Sequence, residues 1–360
     1  MTDSPSSQRG KPTVGPNRRG FVRRLAALGA GAQALATSGS LHAASEAGKA
    51  HAQEPAAWPK MAYRKLGNTN FNASRLVFGC GAALSRKPRD ELLHTAFDAG
   101  INVFDVGYKH YYNDAEKHLA PFLKTHRDRI FLISKAAVPS EVGPNAAFPV
   151  AEAKRAAAGW LKYLDESLRE MQVDHVDAYY LMASYNPQVV VSEEILGAFE
   201  RAKRAGKVSH LGVSTHRQAD KVLAAITESG VYSLAMIAVT PSGWYDWETR
   251  EVLPDSPPLT GLRPQLDAAR AAGIGLIGMK AGRFLAGRRF LGWGNPDAFD
   301  EHYDERFMQA PLSTFQRSYA YVLGHGLDAV NADMQSLVHL RENHVAAATS
   351  NLFFDNGATA

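Results

Sequence analysis

The sequence has very little cysteine. Cys80 is the single cysteine in 360 residues, which excludes a disulfide within the chain and an iron–sulfur centre with four cysteine ligands. A nucleophilic-serine motif and a phosphate-binding P-loop are also missing. The nearest approach to a G-x-G-x-x-G dinucleotide fingerprint is Gly29-Ala30-Gly31, which does not follow a predicted strand in the body of the chain. That absence argues against an open, doubly wound nucleotide-binding sheet.

Excess positive charge is confined to the N-terminus. Residues 1–52 hold seven of the 40 Lys and Arg residues and two of the 36 Asp and Glu residues, which leaves 33 basic and 34 acidic residues in 53–360. The body therefore lacks the basic surplus that binding to a phosphate backbone requires. We predict no nucleic-acid partner.

The N-terminal segment lacks a long hydrophobic run. Residues Leu25–Ala36 are rich in Ala and Gly and are too few to span a bilayer. Before them, Asn17-Arg18-Arg19-Gly20-Phe21 resembles a twin-arginine export signal, with small residues for cleavage after Ala43 or Ala52. The resemblance implies that residues 1–52 are a signal peptide and linker read by the twin-arginine machinery, and that the processed protein lies in the periplasm without a stable membrane anchor. A disordered basic tail is the alternative.

The rest of the chain alternates strand-length apolar runs with helix-length amphipathic runs. A turn signature at Gly67-Asn68-Thr69-Asn70 predicts a small hairpin first. The predicted strands are Leu76–Gly79, Ile101–Val106, Ile130–Lys135, Val176–Met182, His210–Ser214, Leu234–Val239, Gly275–Lys280 and Asp328–Ala332. The helical runs include Arg89–Ala99, Ala115–Leu123 with an interruption at Pro121, Ala151–Met171, Glu193–Ala205, Ala219–Ser229, Leu262–Ala272, Ser313–Leu323 and Leu337–Thr349. Eight strand-then-helix units predict an α/β fold, a (β/α)8 TIM barrel with an N-terminal β-hairpin, over residues 60–350.

Two long interruptions follow predicted strands. Residues Ser242–Thr260 and Arg288–Pro311 are rich in aromatic residues, Gly and Pro. Because loops after barrel strands lie at the mouth, we expect these segments to overhang it as substrate walls or a lid, with Trp244 and Trp247 in a substrate pocket.

Opposite charges fall at the ends of two neighbouring strands. Asp105 ends the second predicted strand and Lys135 ends the third, so the two side chains can form a buried ion pair at the barrel mouth. An ammonium beside a phenol would lower the phenol's pKa from about 10 towards neutrality. The tyrosines of the following loop, Tyr108, Tyr111 and Tyr112, are candidates for such a proton-transfer group.

These residues belong to a larger set of motifs that resembles one family. The set consists of Tyr63-Arg64-Lys65-Leu66-Gly67, Gly79-Cys80-Gly81, Phe104-Asp105, Glu116-x-x-Leu119, Ile133-Ser134-Lys135, Val176-Asp177, Gly212-Val213-Ser214, Gly278-Met279-Lys280 and Leu340-Arg341-Glu342-Asn343. From about residue 61 to 350 the chain is similar to the aldo/keto reductases. The resemblance implies a (β/α)8 barrel that binds NAD or NADP without a metal and passes hydride between the cofactor and a small carbonyl or alcohol substrate.

The family's catalytic residues carry over incompletely. Asp105 and Lys135 match, and counting back from Glu116 places the catalytic tyrosine at Tyr112, with Tyr108 and Tyr111 remaining open. Met182 stands where the family has a histidine. Because a thioether donates no hydrogen bond to a carbonyl, that exchange removes a source of transition-state stabilisation.

The resemblance also implies a cofactor site. Its members are Cys80, Ser214, Thr215, Met236, Lys280, His339, Glu342 and Asn343. Met236 replaces the glutamine that holds the nicotinamide carboxamide, and His339 replaces an arginine. Asp333 falls near a lysine position that serves a 2′-phosphate, which favours NAD(H) over NADP(H), or a loss of cofactor binding.

Three functions follow as hypotheses. The leading one is an exported oxidoreductase in which Tyr112 is the general acid. The second is a catalytically silent barrel of this family that binds a ligand or a partner, and the third is a cofactor-free proton transfer such as an isomerisation.

Overall fold

Strands and helices alternate along the chain in the computed structural model, which describes residues 58–287 and 294–354. The predicted signal peptide and linker, residues 1–52, lie outside the described residues. The strands are β1 Tyr63–Lys65, β2 Asn72–Ser74, β3 Leu76–Gly79, β4 Val103–Asp105, β5 Phe131–Ala137, β6 Val176–Met182, β7 Val208–Thr215, β8 Leu234–Thr240, β9 Gly243–Asp246, β10 Glu251–Val252, β11 Gly275–Met279 and β12 Ala329–Asp333.

The α-helices are Cys80–Leu84, Asp90–Asp98, Lys109–Tyr112, Ala115–His126, Val150–Met171, Pro187–Val190, Glu193–Arg204, Ala219–Ser229, Arg263–Ala271, Glu305–Met308, Thr314–Gly324 and Leu337–Thr349. Short 3-10 helices occupy Gly67–Thr69, Arg127–Arg129, Leu259–Leu262, Asp300–His302 and Ser350–Leu352. Among these described helices, none has the length and apolar character needed to cross a membrane.

Eight parallel strands close on themselves. The hydrogen-bonded order is β8-β11-β12-β3-β4-β5-β6-β7, and β7 pairs back onto β8. Helices follow the strands along the chain, so the predicted (β/α)8 barrel is confirmed. The N-terminal hairpin is also confirmed, because β1 and β2 pair in antiparallel register.

The hairpin packs closely against the end of the barrel where the strands begin. The amide of Asn68 donates to the carbonyl of Gly273 over 2.8 Å. Gly67 has a φ of +53°, and a Cβ added there would lie 2.3 Å from the nitrogen of Gly275. Only glycine fits this approach of two backbones.

Side chains alternate between two separate cores. Val77, Val103, Ile133 and Tyr180 point into the barrel, where a compact cluster fills the interior. Their neighbours in sequence, such as Phe78, join the larger cluster between the strands and the outer helices. Both positions along each strand are therefore buried, which explains why the strands read as continuous apolar runs.

Two predictions about irregular segments were wrong. Pro121 does not interrupt its helix, which continues from Ala115 to His126. Its ring is exposed, and so is Lys117 one turn earlier; on that face, water can satisfy the carbonyl that the proline leaves without a donor. The segment Ser242–Thr260 is not an irregular loop, because β9 and β10 form an antiparallel hairpin that continues from β8. In the second interruption, residues 288–293 lie outside the described residues.

Candidate active site

The period-two alternation brings a defined set of side chains to the barrel mouth. Inward positions near the carboxyl ends of the strands are occupied by Asp105, Lys135, Met182, Ser214, Met236, Met279 and Asn331. All except Ser214 lie two or four residues beyond an inward-facing apolar residue of the same strand, and Ser214 follows Gly212 by two positions. One cation, one carboxylate and one carboxamide thus meet among three thioethers and one hydroxyl.

Asp105 and Lys135 form the predicted ion pair. Lys135 Nζ lies 2.5 Å from Asp105 Oδ2, and the two residues are only 5% and 3% exposed. Burial raises the pKa of Asp105, while the charge of Lys135 and hydrogen bonds from Lys135 and Asn331 oppose that rise. The pair combines a low-dielectric setting with strong mutual attraction.

Asn331 is a member of the site that the sequence analysis missed. Its Nδ2 donates to Asp105 Oδ2 over 2.6 Å and lies 3.4 Å from Met236 Sδ. The signal that could have found it is strand parity, because Asn331 follows the inward-facing Ala329 by two positions.

Tyr112 lies beside this pair. Its ring centroid is 5.6 Å from Lys135 Nζ. A Cβ on Gly81 or on Gly107 would come within 2.6 Å or 2.9 Å of the ring, so the ring fits between two glycines. Asn113, the residue after the tyrosine, has a φ of 52°, a value that residues other than glycine adopt rarely.

The other two tyrosines of the loop face elsewhere. Tyr108 packs against Tyr163, with ring centroids 5.1 Å apart. Tyr111 is 39% exposed and meets Tyr112 edge-on. Among the three candidates, the ring of Tyr112 is the one stacked beneath the ammonium.

The predicted lowering of the phenol's pKa was wrong for Tyr112. Burial raises the pKa of its hydroxyl well above 10, and Tyr111, Asp333 and Asp105 raise it further. The Lys135 ammonium lies at hydrogen-bonding distance from Asp105 and over the ring face of Tyr112, so its charge is largely neutralised by the carboxylate. The phenol consequently keeps its proton at neutral pH.

The thioethers of methionine residues and the hydroxyl of Ser214 complete the inward surface, whereas Thr215 is the next residue of the same strand. Met182 is 8% exposed and Met236 is 2% exposed. The Oγ of Ser214 accepts a hydrogen bond from the amide of Ala183 over 3.2 Å. Thr215 is fully buried and donates to the carbonyl of Arg217 over 2.8 Å, so its hydroxyl is already engaged.

A cationic cluster surrounds Trp247 at the edge of the mouth. Lys280 Nζ lies 4.2 Å from the ring centroid, and the guanidinium carbons of Arg283 and Arg250 lie 5.5 Å and 5.7 Å from it. Lys280 has a φ of 66°, a strained conformation for a residue other than glycine. Burial lowers the pKa of Lys280, and the carboxylate of Asp333 opposes that change. This cluster is suited to an anionic group.

Two predicted site residues are buried in the core between the strands and the outer helices. Trp244 is 4% exposed and belongs to the core shared with the outer helices, so it does not form the pocket wall that we expected. Cys80 is fully buried in the same core, and burial raises the pKa of its thiol. Neither side chain is open to a ligand.

The predicted adenine-side residues lie on or beside the helix Leu337–Thr349. Ser313 Oγ donates to Glu342 Oε1 over 2.6 Å, which fixes that carboxylate. Asn343 is half-buried, and His339 is exposed, with its amide donating to the capping Ser336. Asp333 is exposed at the end of β12.

With this geometry in hand, the chain can be compared with known proteins. The model of the aldo/keto reductase family matches residues 74–255, about half of the chain. The closed barrel and the match together show that the chain belongs to the aldo/keto reductase family.

Individual relatives are more distant. The chain is similar to a 6-dehydroglucose reductase of Novosphingobium aromaticivorans, with 28% identity over 167 residues that cover 42% of this chain and 51% of the relative. It is also similar to an L-glyceraldehyde 3-phosphate reductase of Escherichia coli, with 26% identity over 176 residues that cover 45% of this chain and 47% of the relative. The chain therefore spans about half the length of each of these curated relatives.

Solved structures show the same fold. An aldo-keto reductase of Klebsiella pneumoniae in complex with NADPH superposes with a TM-score of 0.56 at 18% identity, covering 81% of this chain and 95% of that one. The holo form of an aldo-keto reductase of Bacillus halodurans gives 0.55 at 19% identity, covering 79% and 90%. Within the described residues, no group of three or more His, Cys, Asp or Glu residues could hold a metal ion.

Proposed function

We propose that this protein is an exported oxidoreductase that passes hydride between a nicotinamide dinucleotide and a small carbonyl or alcohol substrate, with Tyr112 as the general acid. The observation that carries the proposal is the position of Lys135, which contacts the carboxylate of Asp105 at 2.5 Å and lies over the ring of Tyr112 at 5.6 Å. Family membership and the NADPH complex of a structural neighbour support the choice of reaction and cofactor.

The charged groups of the mouth fit such a cofactor. Asp105 Oδ1 is buried and has no hydrogen-bond partner among the described residues, so it can accept from a hydroxyl of a bound ligand. The ammonium of Lys280, which no described side chain pairs in a salt bridge, can meet a phosphate. When bound, the dinucleotide supplies or accepts the hydride. Ser214, Glu342 and the Trp247 cation cluster are its candidate contacts.

Tyr112 would supply the proton. Its raised pKa keeps the hydroxyl protonated at neutral pH, as a general acid for carbonyl reduction requires. When the proton leaves, only the part of the Lys135 charge that Asp105 does not neutralise would offset the build-up of negative charge on the phenolate. Asp105 holds that ammonium in place.

The substrate would have to react without a histidine donor. Met182 fills that position and leaves an apolar, thioether-lined wall. The names of the two curated relatives describe reductases of sugar-derived carbonyl compounds. We therefore propose small hydroxylated aldehydes and ketones as the first compounds to test, with NAD(H) favoured over NADP(H) because Asp333 would repel a 2′-phosphate.

The test begins with binding. NADH and NADPH are titrated into the chain while cofactor fluorescence is followed, and saturable binding of at least one is expected. Turnover of an aldehyde and ketone panel is then compared between wild type, Tyr112→Phe and the matched control Tyr111→Phe. Loss of the acid should reduce kcat by about 10² to 10⁴ in Tyr112→Phe only. Equal activity of all three proteins, or no binding of either cofactor, would refute the proposal.

A silent barrel is the second candidate. Met182 and Met236 occupy positions where the family has a histidine donor and a glutamine amide, and this double replacement favours the loss of catalysis. The same binding and turnover panel separates the two functions, since a silent barrel gives no Tyr112-dependent turnover.

Export is a separate proposal, supported by the twin-arginine-like segment alone. Residues 1–52 fused to a reporter should direct it to the periplasm. Replacing Arg18 and Arg19 by lysine should retain the reporter in the cytoplasm, and periplasmic reporter in that variant would contradict the twin-arginine route.

A further inference from the structure

We propose that Asn331 is a positioning residue of this site, whose carboxamide fixes the carboxylate of Asp105 and, through it, the ammonium of Lys135. The inference rests on the proposed oxidoreductase function for its catalytic meaning. Its structural content stands on contacts among three buried or half-buried side chains.

The last barrel strand delivers Asn331 to the pair. In β12, Asn331 is opposite Met279 of β11 and Val77 of β3, so its backbone is held on both sides. From this position Nδ2 reaches Asp105 Oδ2 at 2.6 Å. The same oxygen receives Lys135 Nζ at 2.5 Å, so two donors converge on one carboxylate oxygen.

The orientation of the carboxamide is determined by its surroundings. Asn331 Oδ1 lies 2.7 Å from the point where a Cβ of Gly79 would stand, so the absence of that Cβ makes room for the oxygen. A flipped amide would place Oδ1 against the oxygen of Asp105, and two acceptors would repel each other. The nitrogen therefore faces the carboxylate.

Met236, which lies beside the carboxamide nitrogen, competes only weakly with Asp105 for its N–H groups. Met236 Sδ lies 3.4 Å from Asn331 Nδ2, and a thioether is a poor acceptor. A glutamine at residue 236 would present a strong acceptor to the same N–H groups. Met236 thus leaves the carboxamide available to Asp105.

The hydrogen bond from Asn331 limits the rotation of the Asp105 carboxylate. Asp105 Oδ1 has no partner among the described residues, so without Asn331 the contact with Lys135 would be the sole hydrogen bond holding the group. Removing the donor would let the carboxylate rotate, and the ammonium would follow it. Because burial already disfavours the charged carboxylate, the pKa of Asp105 should also rise.

The test measures the pKa of Asp105 directly. The carboxyl carbon of Asp105 is followed by ¹³C NMR as a function of pH in the full chain, with Asp105→Asn used to assign the signal. Asn331→Leu removes the donor, and Asn331→Asp keeps the volume while adding a second acid. We expect the midpoint to rise by about one unit in Asn331→Leu and further in Asn331→Asp.

Each outcome has a defined meaning. An unchanged midpoint in either variant overturns the inference, and Asn331→Asp keeps the test open if Asn331→Leu fails to fold. With a turned-over substrate, kcat of Asn331→Leu should fall about tenfold with KM unchanged, and the acidic limb of the pH profile should move upward with the NMR midpoint. A shifted midpoint in a protein without turnover would refute the oxidoreductase proposal and leave the positioning contact supported. Turnover together with an unshifted midpoint would support the oxidoreductase proposal and refute the positioning role of Asn331.

Discussion

Glu116 makes the stability of this protein depend on pH in a direction opposite to that of most carboxylates. The residue is 1% exposed on the helix Ala115–His126. Ser134 donates to its Oε1 over 2.8 Å, while Oε2 is buried without a partner among the described residues. Burial raises the pKa of Glu116 from 4.5 to about 7, and the neighbouring hydroxyls of Ser167 and Ser134 offset only part of that rise.

The magnitude follows from proton linkage. Between the unfolded and folded pKa values, the folded chain binds a proton that the unfolded chain has released. The stabilising contribution is therefore complete below about pH 4.5 and is lost as the pH rises through 7. For Glu116 alone, the free energy of unfolding should fall by roughly 2 to 3 kcal/mol between pH 5 and pH 8.

Glu116→Gln isolates this effect, because an amide keeps the shape of the protonated acid and does not ionise. The free energy of unfolding is measured by urea titration with tryptophan fluorescence at pH 5 and pH 8. The variant should be within about 1 kcal/mol of wild type at pH 5 and more stable by roughly 2 to 3 kcal/mol at pH 8. Other titrating groups, such as His216, whose pKa burial lowers to about 4, cancel in the difference.

The matched control is Glu91→Gln, an exposed residue on the helix Asp90–Asp98. It should change the free energy of unfolding similarly at both pH values. An equal effect of Glu116→Gln at pH 5 and pH 8 would refute the reasoning, since it would mean that the buried carboxyl titrates alike in the folded and unfolded chains.

Two further predictions concern the ion pair of Asp105 and Lys135 and the ring of Tyr112. Lys135→Met leaves Asp105 buried without its counter-ion, so urea titration at pH 8 should show that the free energy of unfolding falls by about 3 to 5 kcal/mol. The double variant Asp105→Asn/Lys135→Met should recover most of that loss. If it does not, the unpaired carboxylate is not the cause. Gly81→Ala places a Cβ 2.6 Å from the ring of Tyr112, and kcat should fall at least about tenfold with little change in cofactor affinity. Gly197→Ala, whose Cβ meets nothing closer than 3.6 Å, is the control, and equal rates in the two glycine variants would contradict a role for the ring position.

The sequence was informative about the fold because both faces of each barrel strand are buried. Apolar runs such as Val176–Met182 and helical runs such as Ala219–Ser229 coincide with the observed elements to the residue. The pairing of Asp105 with Lys135 followed from strand order alone, since side chains at the ends of adjacent parallel strands must meet.

Other features required three-dimensional packing. The pKa of Tyr112 depends on how completely the ring is buried and on which face meets Lys135, and residue spacing carries neither quantity. The core position of Trp244 depends on a hairpin that folds back from β8, whereas the sequence suggested an open loop. Asn331 was overlooked because strand parity marks it only as inward-facing, whereas its contact with Asp105 depends on a distance that the sequence does not contain.

The contact between Asn331 and Asp105 also relates the site to the order in which the chain folds. Lys135 is 30 residues from Asp105, whereas Asn331 is 226 residues away. Contacts of such long separation form late, because a large loop must close first. The ion pair can assemble once the early strands are made, but the carboxamide arrives only when the last strand docks between its neighbours. Catalytic activity would then require that the whole barrel has closed. A folding intermediate that lacks the last strand would contain the ion pair of Asp105 and Lys135 without the hydrogen bond that aligns it.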